Sequence, residues 1–382
     1  MSLRYLTAGE SHGKCLTAIL EGIPAGLNLT AEEINLELAR RQQGYGRGLR
    51  MQSIEKDRAE ITSGLRHGQT IGSPITLVIF NQDWAGRKGD NLPPLSCPRP
   101  GHADLAGLIK YRRKDIRDIL ERASARETAI RVALGAVGKK LLKEFGIKIF
   151  SYVDNIGGIS ISSQSRQGLW EKIEQLENSV LRCPDRVAEK KMVQLIDRAQ
   201  AAGNTVGGTF QVVIKGVPIG LGSHISGEKR LSVRLTSALM SIPAIKGVEI
   251  GEGFALAEKL GSQAQDQIVY LPKEGLRRLT NHAGGIEGGI SDGEEIILRA
   301  VMKPIASLGK PLNTIDLRNK KVAPAEKVRA DICAVPAAGV VGEALAALEI
   351  ANAFQEKFGA DSLPELKENY QNYMKYIKKR FG

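Results

Sequence analysis

Apolar residues recur at three- and four-residue spacing in several parts of the chain, and this spacing predicts helices. Thr30 and Glu33 have the spacing of a capping box, so a helix is predicted over 29–41, and Gly44 lies just past its end. The same criteria predict four further helices, which cover residues 186–202, 229–240, 339–358 and 365–380.

A longer helical region begins near Asp104. Ser124 and Glu127 interrupt its apolar pattern with another capping-box spacing, which predicts a new helix N-terminus at Ser124. The glycine- and proline-rich residues 83–103 before this region form a long predicted loop, of a length typical of functional or disordered segments.

Short runs with apolar alternation predict strands over 60–63, 75–80, 147–153, 209–215 and 295–302. Paired glycines precede a predicted strand at Gly157-Gly158, Gly207-Gly208 and Gly288-Gly289, which is a weak sign of internal duplication. Because no proline- or serine-rich linker divides the chain, residues 1–382 are predicted to form one interlocked α+β domain.

Composition restricts the class of protein. The chain has 382 residues, of which 42% are hydrophobic, so wholesale disorder is excluded. The longest apolar run, residues 332–342, is shorter than the roughly 20 residues that cross a bilayer, and residues 1–5 carry no signal core. Four scattered cysteines favour neither disulfides nor a metal site. A reduced cytoplasmic protein without a metal is expected.

The chain carries 54 basic and 42 acidic residues, a net charge of +12. This surplus attracts anions, but aromatic residues amount to only 5%, which is low for a protein that stacks on bases. Residues 9–15 resemble a phosphate-binding Walker loop, yet the run is one residue short and ends in Cys15. Small phosphorylated ligands are at least as plausible as RNA.

Two histidines lie among glycines and charged residues, namely His12 and His102. Glycine allows close approach of a ligand, and an imidazole transfers protons near neutral pH, so both are candidates for acid–base chemistry. His282 is a third candidate, whereas His67 and His224 have no such surroundings. A purely structural role is the commoner alternative for a single histidine.

Three segments suit the binding of phosphate. The first is 122–126, with two arginines and a serine at a predicted helix N-terminus. The second is the glycine loop 44–50 with Arg40, Arg41, Arg47 and Arg50, and the third is 303–307. Each alone is compatible with a solvated basic surface. Together with the histidines they favour an enzyme for phosphorylated ligands, without indicating the reaction.

Several motifs, in order along nearly the whole chain, resemble the chorismate synthase family. They are Gly9-Glu10-Ser11-His12-Gly13 with Glu21-Gly22-Ile23-Pro24, residues 41–48, Glu121 to Thr128, residues 246–251, residues 281–286 and residues 288–291. One signature departs from the family pattern, because Arg329-Ala330-Asp331-Ile332-Cys333 lacks the family's serine or histidine and its proline.

The resemblance implies a lyase that converts 5-enolpyruvylshikimate 3-phosphate to chorismate by anti-1,4-elimination, with reduced FMN as cofactor. His12 would protonate the departing phosphate, His102 would protonate or polarise the flavin, and Asp331 would support proton removal. Ser11 and Ser124 are the other implied catalytic positions. The implied FMN contacts are Arg122, Ala123, Ser124, Pro243, Ala244, Gly288, Lys303, Pro304, Ile305, Ala306, Ser307 and Arg329.

By the same resemblance, Arg41 and Arg47 match positions assigned to NADPH in members that reduce their own flavin, although both could bind substrate phosphate instead. The implied fold is a sandwich of antiparallel sheets around helices, assembled as a homotetramer that binds neither nucleic acid nor membrane. The alternatives are a basic RNA-binding protein and a catalytically inactive scaffold.

Overall fold

The computed structural model describes residues 2–48, 56–82, 84, 93–272, 275–328 and 330–382. The strands in these ranges are β1 (Arg4–Gly9), β2 (Cys15–Glu21), β3 (Ala59–Ser63), β4 (Leu65–Arg66), β5 (Gln69–Thr70), β6 (Ile75–Phe80), β7 (Lys148–Ile156), β8 (Ile159–Ser160), β9 (Gly208–Lys215), β10 (Ile245–Ile250), β11 (Ile268–Leu271), β12 (Gly275–Arg278), β13 (Ile286–Glu287), β14 (Ile290–Ser291), β15 (Ile296–Met302), β16 (Asn313–Ile315) and β17 (Val322–Pro324). The helices are α1 (Ala31–Gln42), α2 (Asp104–Tyr111), α3 (Arg117–Ala123), α4 (Thr128–Lys143), α5 (Ile173–Asn178), α6 (Arg186–Ala201), α7 (Leu231–Met240), α8 (Gly261–Ala264), α9 (Val335–Phe358) and α10 (Leu363–Phe381).

Two antiparallel sheets organise the chain. The first has the strand order β1-β2-β6-β3 and the second has the order β10-β15-β9-β7-β8. Alternate residues of β2, which are Leu16, Ala18 and Leu20, are fully buried, whereas Ile19 between them is exposed. Successive residues of β2 thus alternate between a core face and an outer face, as the two-residue period of a strand requires. The predicted α+β class with antiparallel sheets is confirmed.

Helices α4 and α9 lie between the two sheets. α4 contacts β2 and β6 of the first sheet, α9 contacts β7 and β9 of the second, and the two helices pack against each other. Gly135 of α4 permits this close approach, because a Cβ atom there would lie 2.3 Å from the Cβ atom of Ala344 on α9. A continuous cluster of buried side chains extends from Leu3 to Leu366 through both sheets and both helices.

The two halves of the chain follow the same order of elements. In the first half the order is β1, β2, α1, β3, β6, α4, and in the second it is β7, β9, α7, β10, β15, α9. Across the first sheet these strands follow the order β1-β2-β6-β3, and across the second they follow β7-β9-β15-β10. In both halves the third and fourth strands along the chain are therefore exchanged in the sheet. Likewise α1 packs on α4 as α7 packs on α9.

Most predicted helix boundaries are confirmed, because capping residues fix them. Thr30 and Glu33 form the predicted capping box of α1, and Asp185 accepts two backbone hydrogen bonds at the start of α6. The region after Asp104 is divided into α2, α3 and α4, with Arg112 in the left-handed conformation after α2. Ser124 begins a 3-10 turn over Ala125–Glu127 that leads into α4.

Helix α9 begins earlier than the predicted residue 339. Pro336 lies in its first turn, where a proline is tolerated since that backbone nitrogen needs no helical partner. The resulting 24-residue helix is long and apolar enough to cross a membrane, which corrects the estimate from the 332–342 run alone. However, 89% of its most apolar window is buried inside the protein, as expected for a central core helix.

Candidate active site

A cavity of about 1120 Å³ opens where the corresponding ends of the two halves meet. Its walls include the residues after the C-termini of α1 and α7 and the residues at the N-termini of α4 and α9. The turn between β1 and β2, the C-terminal part of α3, Gln200 of α6 and the segments before α2, after β15 and before α9 also line it. The cavity therefore draws on both halves of the fold.

The N-termini of α4 and α9 face this cavity. Ser124 to Thr128 line it at the start of α4, and Ala334, Ala337 and Ala338 line it at the start of α9. Because helix N-termini present unpaired N–H groups and the positive end of the helix dipole, both favour an anionic ligand.

Basic side chains dominate the charge of the lining. Of the described residues that form it, nine are arginine or lysine and two are acidic. Five of the arginines pair with carboxylates, which are Asp57, Asp104, Glu127 and Asp331. The other four cations form no ion pair with a described residue, namely Arg122, Lys246, Lys303 and Lys327. These four have positive charge available for a ligand.

His12 lies in the β1–β2 turn and is held by Glu121 of α3. One carboxylate oxygen of Glu121 accepts the backbone N–H of His12 at 2.7 Å, and the other lies 3.0 Å from His12 Nδ1. The preceding Gly9 has φ 104°, and a Cβ atom there would lie 2.2 Å from the carbonyl oxygen of Cys15. The turn that carries His12 therefore requires glycine at position 9.

Ser11 and Ser124 meet beside His12. Their hydroxyl oxygens are 3.1 Å apart, and Ser124 Oγ also accepts the backbone N–H of Arg126 as the cap of the 3-10 turn. Arg122 is more exposed and donates to the carbonyl oxygen of Gly9 at 2.8 Å. The resemblance implies that Ser11, Ser124 and Arg122 belong to one site, and in the structure they lie on one wall of the cavity.

His102 forms a second histidine–carboxylate pair. Its Nδ1 lies 2.6 Å from Oδ1 of Asp104, which is fully buried at the start of α2. Arg99 donates to the same carboxylate and to Ser307 Oγ at 2.7 Å. Burial opposes ionisation of Asp104, but the hydrogen bonds from His102 and Arg99 outweigh it and hold the pKa of this carboxyl below its usual range.

Arg41 lies at the end of α1 with its guanidinium buried. It donates to Asp57 Oδ2 at 2.7 Å, and Arg126 pairs with the other oxygen of the same carboxylate. Burial alone would raise the pKa of Asp57, but the two guanidiniums outweigh it and hold that pKa below its usual range. Both oxygens of this buried carboxylate are thus engaged.

Asp331 lies in the signature 329–333, which departs from the family pattern, and it lines the cavity. Gly48 donates its backbone N–H to Oδ1 at 2.7 Å, and Arg47 lies 3.1 Å from Oδ2. The next residue, Ile332, donates its own N–H to the carbonyl oxygen of Gly46 at 2.7 Å. The glycine loop after α1 therefore holds both the carboxylate and the backbone of this segment.

The remaining predicted positions divide into two groups. Ala123, Pro243, Ala244, Lys303, Ile305, Ala306 and Ser307 line the cavity. Pro304 is not part of the lining, although both its neighbours are. Gly288 lies in the turn between β13 and β14, outside the cavity, and Arg329 lies outside the described residues. His282 pairs with Glu252 away from the cavity, and neither His67 nor His224 lines it.

Sequence patterns do not indicate the hydrogen-bond and ion-pair partners of the predicted site residues. Glu121 and Asp104 hold the two histidines, Asp57 holds Arg41, and Lys246 and Lys327 add charge to the lining. Glu121 and Lys246 stood within quoted motifs, but the contact between Glu121 and His12 joins residues 109 positions apart. No local spacing indicates such a contact.

Comparisons with known proteins agree with one another. A family model for chorismate synthase matches residues 3–355. The chorismate synthase of Bacillus cytotoxicus is 51% identical over 98% of this chain and 100% of that protein. That of Geobacter sulfurreducens is also 51% identical, over 98% and 99% of the two chains. A crystal structure of chorismate synthase superposes with a TM-score of 0.82 at 45% identity, over 99% of each chain.

Proposed function

Because this chain belongs to the chorismate synthase family, we propose that it forms chorismate from 5-enolpyruvylshikimate 3-phosphate by an anti-1,4-elimination of phosphate that requires reduced FMN. The enzyme is a lyase, and this conversion is the last common step of the shikimate pathway to aromatic amino acids. One observation carries the detailed proposal, which is the cavity where four cations that form no ion pair with a described residue, the N-termini of α4 and α9 and two histidine–carboxylate pairs come together.

The charges of the lining suit this substrate. A phosphate and two carboxylates make it strongly anionic, and the four cations without carboxylate partners would offset that charge. Arg122 adds a planar guanidinium that can bind two oxygens at once. The paired arginines contribute less, since each already pairs with a carboxylate.

The residues of the cavity also fit FMN. Its volume exceeds the roughly 300–1,000 Å³ of a usual single-ligand pocket, so a flavin and a substrate have room together. We propose that Arg122, Ala123, Ser124, Pro243, Ala244, Lys303, Ile305, Ala306 and Ser307 hold the flavin. Reduced FMN would supply the electron-rich ring that allows an unactivated C–H bond to break without net redox change. Gly288, Pro304 and Arg329 stay predictions from the resemblance.

We assign His12 the donation of a proton to the departing phosphate. Its Nδ1 is engaged by Glu121, whereas Nε2 makes no hydrogen bond with a described residue. When the ring is doubly protonated, its second proton lies on Nε2, on the cavity side, next to the hydroxyl pair of Ser11 and Ser124.

His102 and Asp331 complete the proposed set. Asp104 holds Nδ1 of His102, and the doubly protonated ring would carry a second proton on Nε2 for the flavin. Asp331 would support removal of the substrate's ring proton, and its carboxylate is fixed at both oxygens by Gly48 and Arg47. Three of the proposed groups are thus oriented by a neighbour before any ligand binds.

The residues matched to NADPH fit that ligand poorly. Arg41 and Arg47 are both buried, and each already pairs with a carboxylate. A further phosphate would have to displace Asp57 or Asp331 from its arginine, which would leave that carboxylate with one partner fewer. The assignment to NADPH stays a prediction from the resemblance, and the pairing of both arginines weighs against it.

We further propose that residues 1–382 form a single domain, a duplicated sandwich of two antiparallel sheets around α4 and α9, which assembles as a cytoplasmic homotetramer. The shared strand order of the halves and the continuous core support the duplication and the single domain. Large apolar side chains on the surface support the assembly, and those near β11 and β12 are Phe254, Leu260, Ile268, Tyr270, Leu276 and Leu279.

An anaerobic assay with 5-enolpyruvylshikimate 3-phosphate tests the function. Phosphate and chorismate are expected in equal amounts with chemically reduced FMN, and neither product is expected without flavin. A parallel reaction with oxidised FMN and NADPH tests whether the chain reduces its own flavin. If the chain binds FMN and the substrate but releases no phosphate with reduced FMN, the proposed function is wrong.

A further inference from the structure

We propose that Glu121 is a positioning residue that fixes the tautomer of His12, with the ring proton on Nδ1 and with Nε2 directed to the cavity. The contact between Glu121 and His12 is supported by interatomic distances alone. Its importance for turnover rests on the proposed function, in which His12 donates a proton to phosphate.

Glu121 holds the β1–β2 turn at three points. Its Oε2 accepts the backbone N–H of His12 at 2.7 Å, and its Oε1 lies 3.0 Å from Nδ1 of the same residue. Its backbone carbonyl accepts the N–H of Ser11 at 2.9 Å. The side chains of His12 and Glu121 are only 22% and 18% exposed, so water competes weakly for these bonds. The ring is therefore fixed in direction as well as in place.

An ionised carboxylate can only accept hydrogen bonds. Nδ1 of His12 must therefore carry a proton in order to bond to Glu121, and in the neutral ring Nε2 is left without one. Other charged groups lie nearby but do not bond to the ring, namely Arg122 on α3 and Glu10 and Lys14 in the turn. Within the described residues, Glu121 alone determines which ring nitrogen is protonated.

This arrangement suits a proton donor. The donor is the doubly protonated ring, which carries one proton on each nitrogen. When the C–O bond to phosphate breaks, the electron pair leaves with the phosphate, and the proton on Nε2 moves to a phosphate oxygen. The neutral ring that remains keeps its proton on Nδ1, where Glu121 already accepts it. The product state of the proton transfer is thus stabilised without any movement of the ring.

Glutamine at position 121 would reverse this preference while leaving the volume of the side chain unchanged. The backbone N–H of His12 can only donate, so it would take the single amide oxygen. The amide NH₂ group would then face Nδ1, which would have to accept, and the neutral ring would carry its proton on Nε2. The known cost of an Asp-to-Asn change in the serine protease triad has this same origin, about 10⁴ in kcat.

The test uses the full-length chain labelled with ¹⁵N at histidine, at a pH where the rings are neutral. The His12 resonances are assigned by their loss in His12→Ala. In the unaltered chain we expect a protonated Nδ1 and an unprotonated Nε2, and in Glu121→Gln we expect the reverse. Glu10→Gln, in the same turn, is the matched control and should keep the original tautomer. Glu121→Asp retains two acceptor oxygens and should restore at least part of the Nδ1-protonated form.

Turnover is measured in the same variants with reduced FMN. Glu121→Gln should lower kcat by about 10²-fold while KM changes by less than about threefold, within the range for residues that orient a reacting group. An unchanged tautomer in Glu121→Gln would overturn the proposal, and so would a rise in KM at constant kcat. A reversed tautomer with unchanged kcat would support the contact and overturn the role of His12 as proton donor. If Glu121→Gln fails to fold, Glu121→Ala provides the same readouts without either acceptor.

Discussion

Among the described residues, a histidine ring nitrogen faces a carboxylate at three places. His12 faces Glu121, His102 faces Asp104, and His282 faces Glu252 at 2.8 Å. Only the first two line the cavity, so the pairing itself does not mark a catalytic histidine. The difference lies in what the free ring nitrogen can reach, and this depends on the position of the pair in the fold.

Replacement of His12 by alanine should lower turnover by about 10²- to 10⁴-fold, the usual contribution of one proton-transfer group. FMN affinity should stay the same, because the phosphate-binding cations are untouched. Flavin titration and the anaerobic assay measure the two effects separately. His224→Ala, which alters an exposed histidine outside the cavity, is the control and should match the unaltered enzyme. Near-normal turnover in His12→Ala would leave this histidine with a structural role only.

At Asp331 we expect Asp331→Asn to reduce turnover far more than any change of its neighbours raises it. An amide has one acceptor oxygen, so asparagine must give up either the Gly48 N–H or Arg47, and it also loses the charge. Restoring serine at position 330 adds at most one hydrogen bond of about 0.5–1.5 kcal/mol, which is roughly tenfold in rate. Steady-state kinetics of Asp331→Asn and Ala330→Ser show which of the two substitutions changes turnover more. A hundredfold gain in Ala330→Ser would contradict this expectation.

At the scale of elements, capping residues made several helices predictable, whereas the hairpin that carries His12 was not recognised. The caps of α1 and α6 are local signals, and both helices form where the sequence predicts them. The sequence pattern does not predict β1, β2 or β10. For the first two the reason is that residues 9–15 resemble a phosphate loop rather than the turn of a hairpin. β2 of this hairpin also pairs with β6, which is distant along the chain, and no local pattern contains such a contact.

The segment around Ile332 illustrates the same limit. From sequence alone, a proline at this position would stabilise the loop by about 0.4–1 kcal/mol, because it restricts the unfolded chain. The structure shows that the N–H of Ile332 donates to Gly46, and proline has no such N–H. We therefore expect Ile332→Pro to leave the melting temperature unchanged or lower, as measured by circular dichroism. A clear rise in melting temperature would show that the unfolded-state effect is larger than this hydrogen bond.

Just before α4, Ser124 has a capping role beside its proposed role in binding, whereas Arg122 has only a proposed role in binding. Ser124 caps the 3-10 turn, so Ser124→Ala should cost about 0.5–2 kcal/mol in the free energy of unfolding. Arg122 is exposed and forms no ion pair with a described residue, so Arg122→Gln should weaken flavin binding with little change in stability. Flavin titrations at two salt concentrations and denaturant unfolding measure both properties. Loss of stability in Arg122→Gln with unchanged flavin affinity would contradict its proposed role.

At the scale of the whole molecule, a buried ionic network joins the two halves. Glu343 of α9 is fully buried and bonds to Arg40 of α1, Lys139 of α4 and Arg182. Burial opposes its ionisation, but these three cations outweigh it and hold the pKa of Glu343 below its usual range. Glu177 shares Arg40 and Arg182, and despite partial burial their hydrogen bonds lower its pKa to about 2.

This network predicts a loss of stability in acid. Both carboxyls have a lower pKa in the folded state than the unfolded value of about 4.3, so their contribution is present above that value and is lost as pH falls below it. At neutral pH, Glu343→Gln should destabilise the fold by about 3–5 kcal/mol, because it leaves buried cations without their partner. The gap to the unaltered protein should narrow as pH falls toward 3. The matched control is Glu368→Gln, at an exposed position. Denaturant unfolding between pH 7 and 3 measures both, and a gap that is constant with pH would contradict the assignment.

The position of the cavity at corresponding helix ends has a consequence for its ancestry. On the proposed duplication, the ancestor was a symmetric pair of half-length chains, and a pocket on its axis presented two identical walls to any ligand. Such a pocket would have accepted one molecule in either of two equivalent orientations. The present chain has diverged between its halves, since His12 and His102 come from the first and Asp331 from the second. Divergence of the two copies would thus have given a symmetric pocket a direction, which is what a reaction with distinct proton-donating and proton-accepting ends requires.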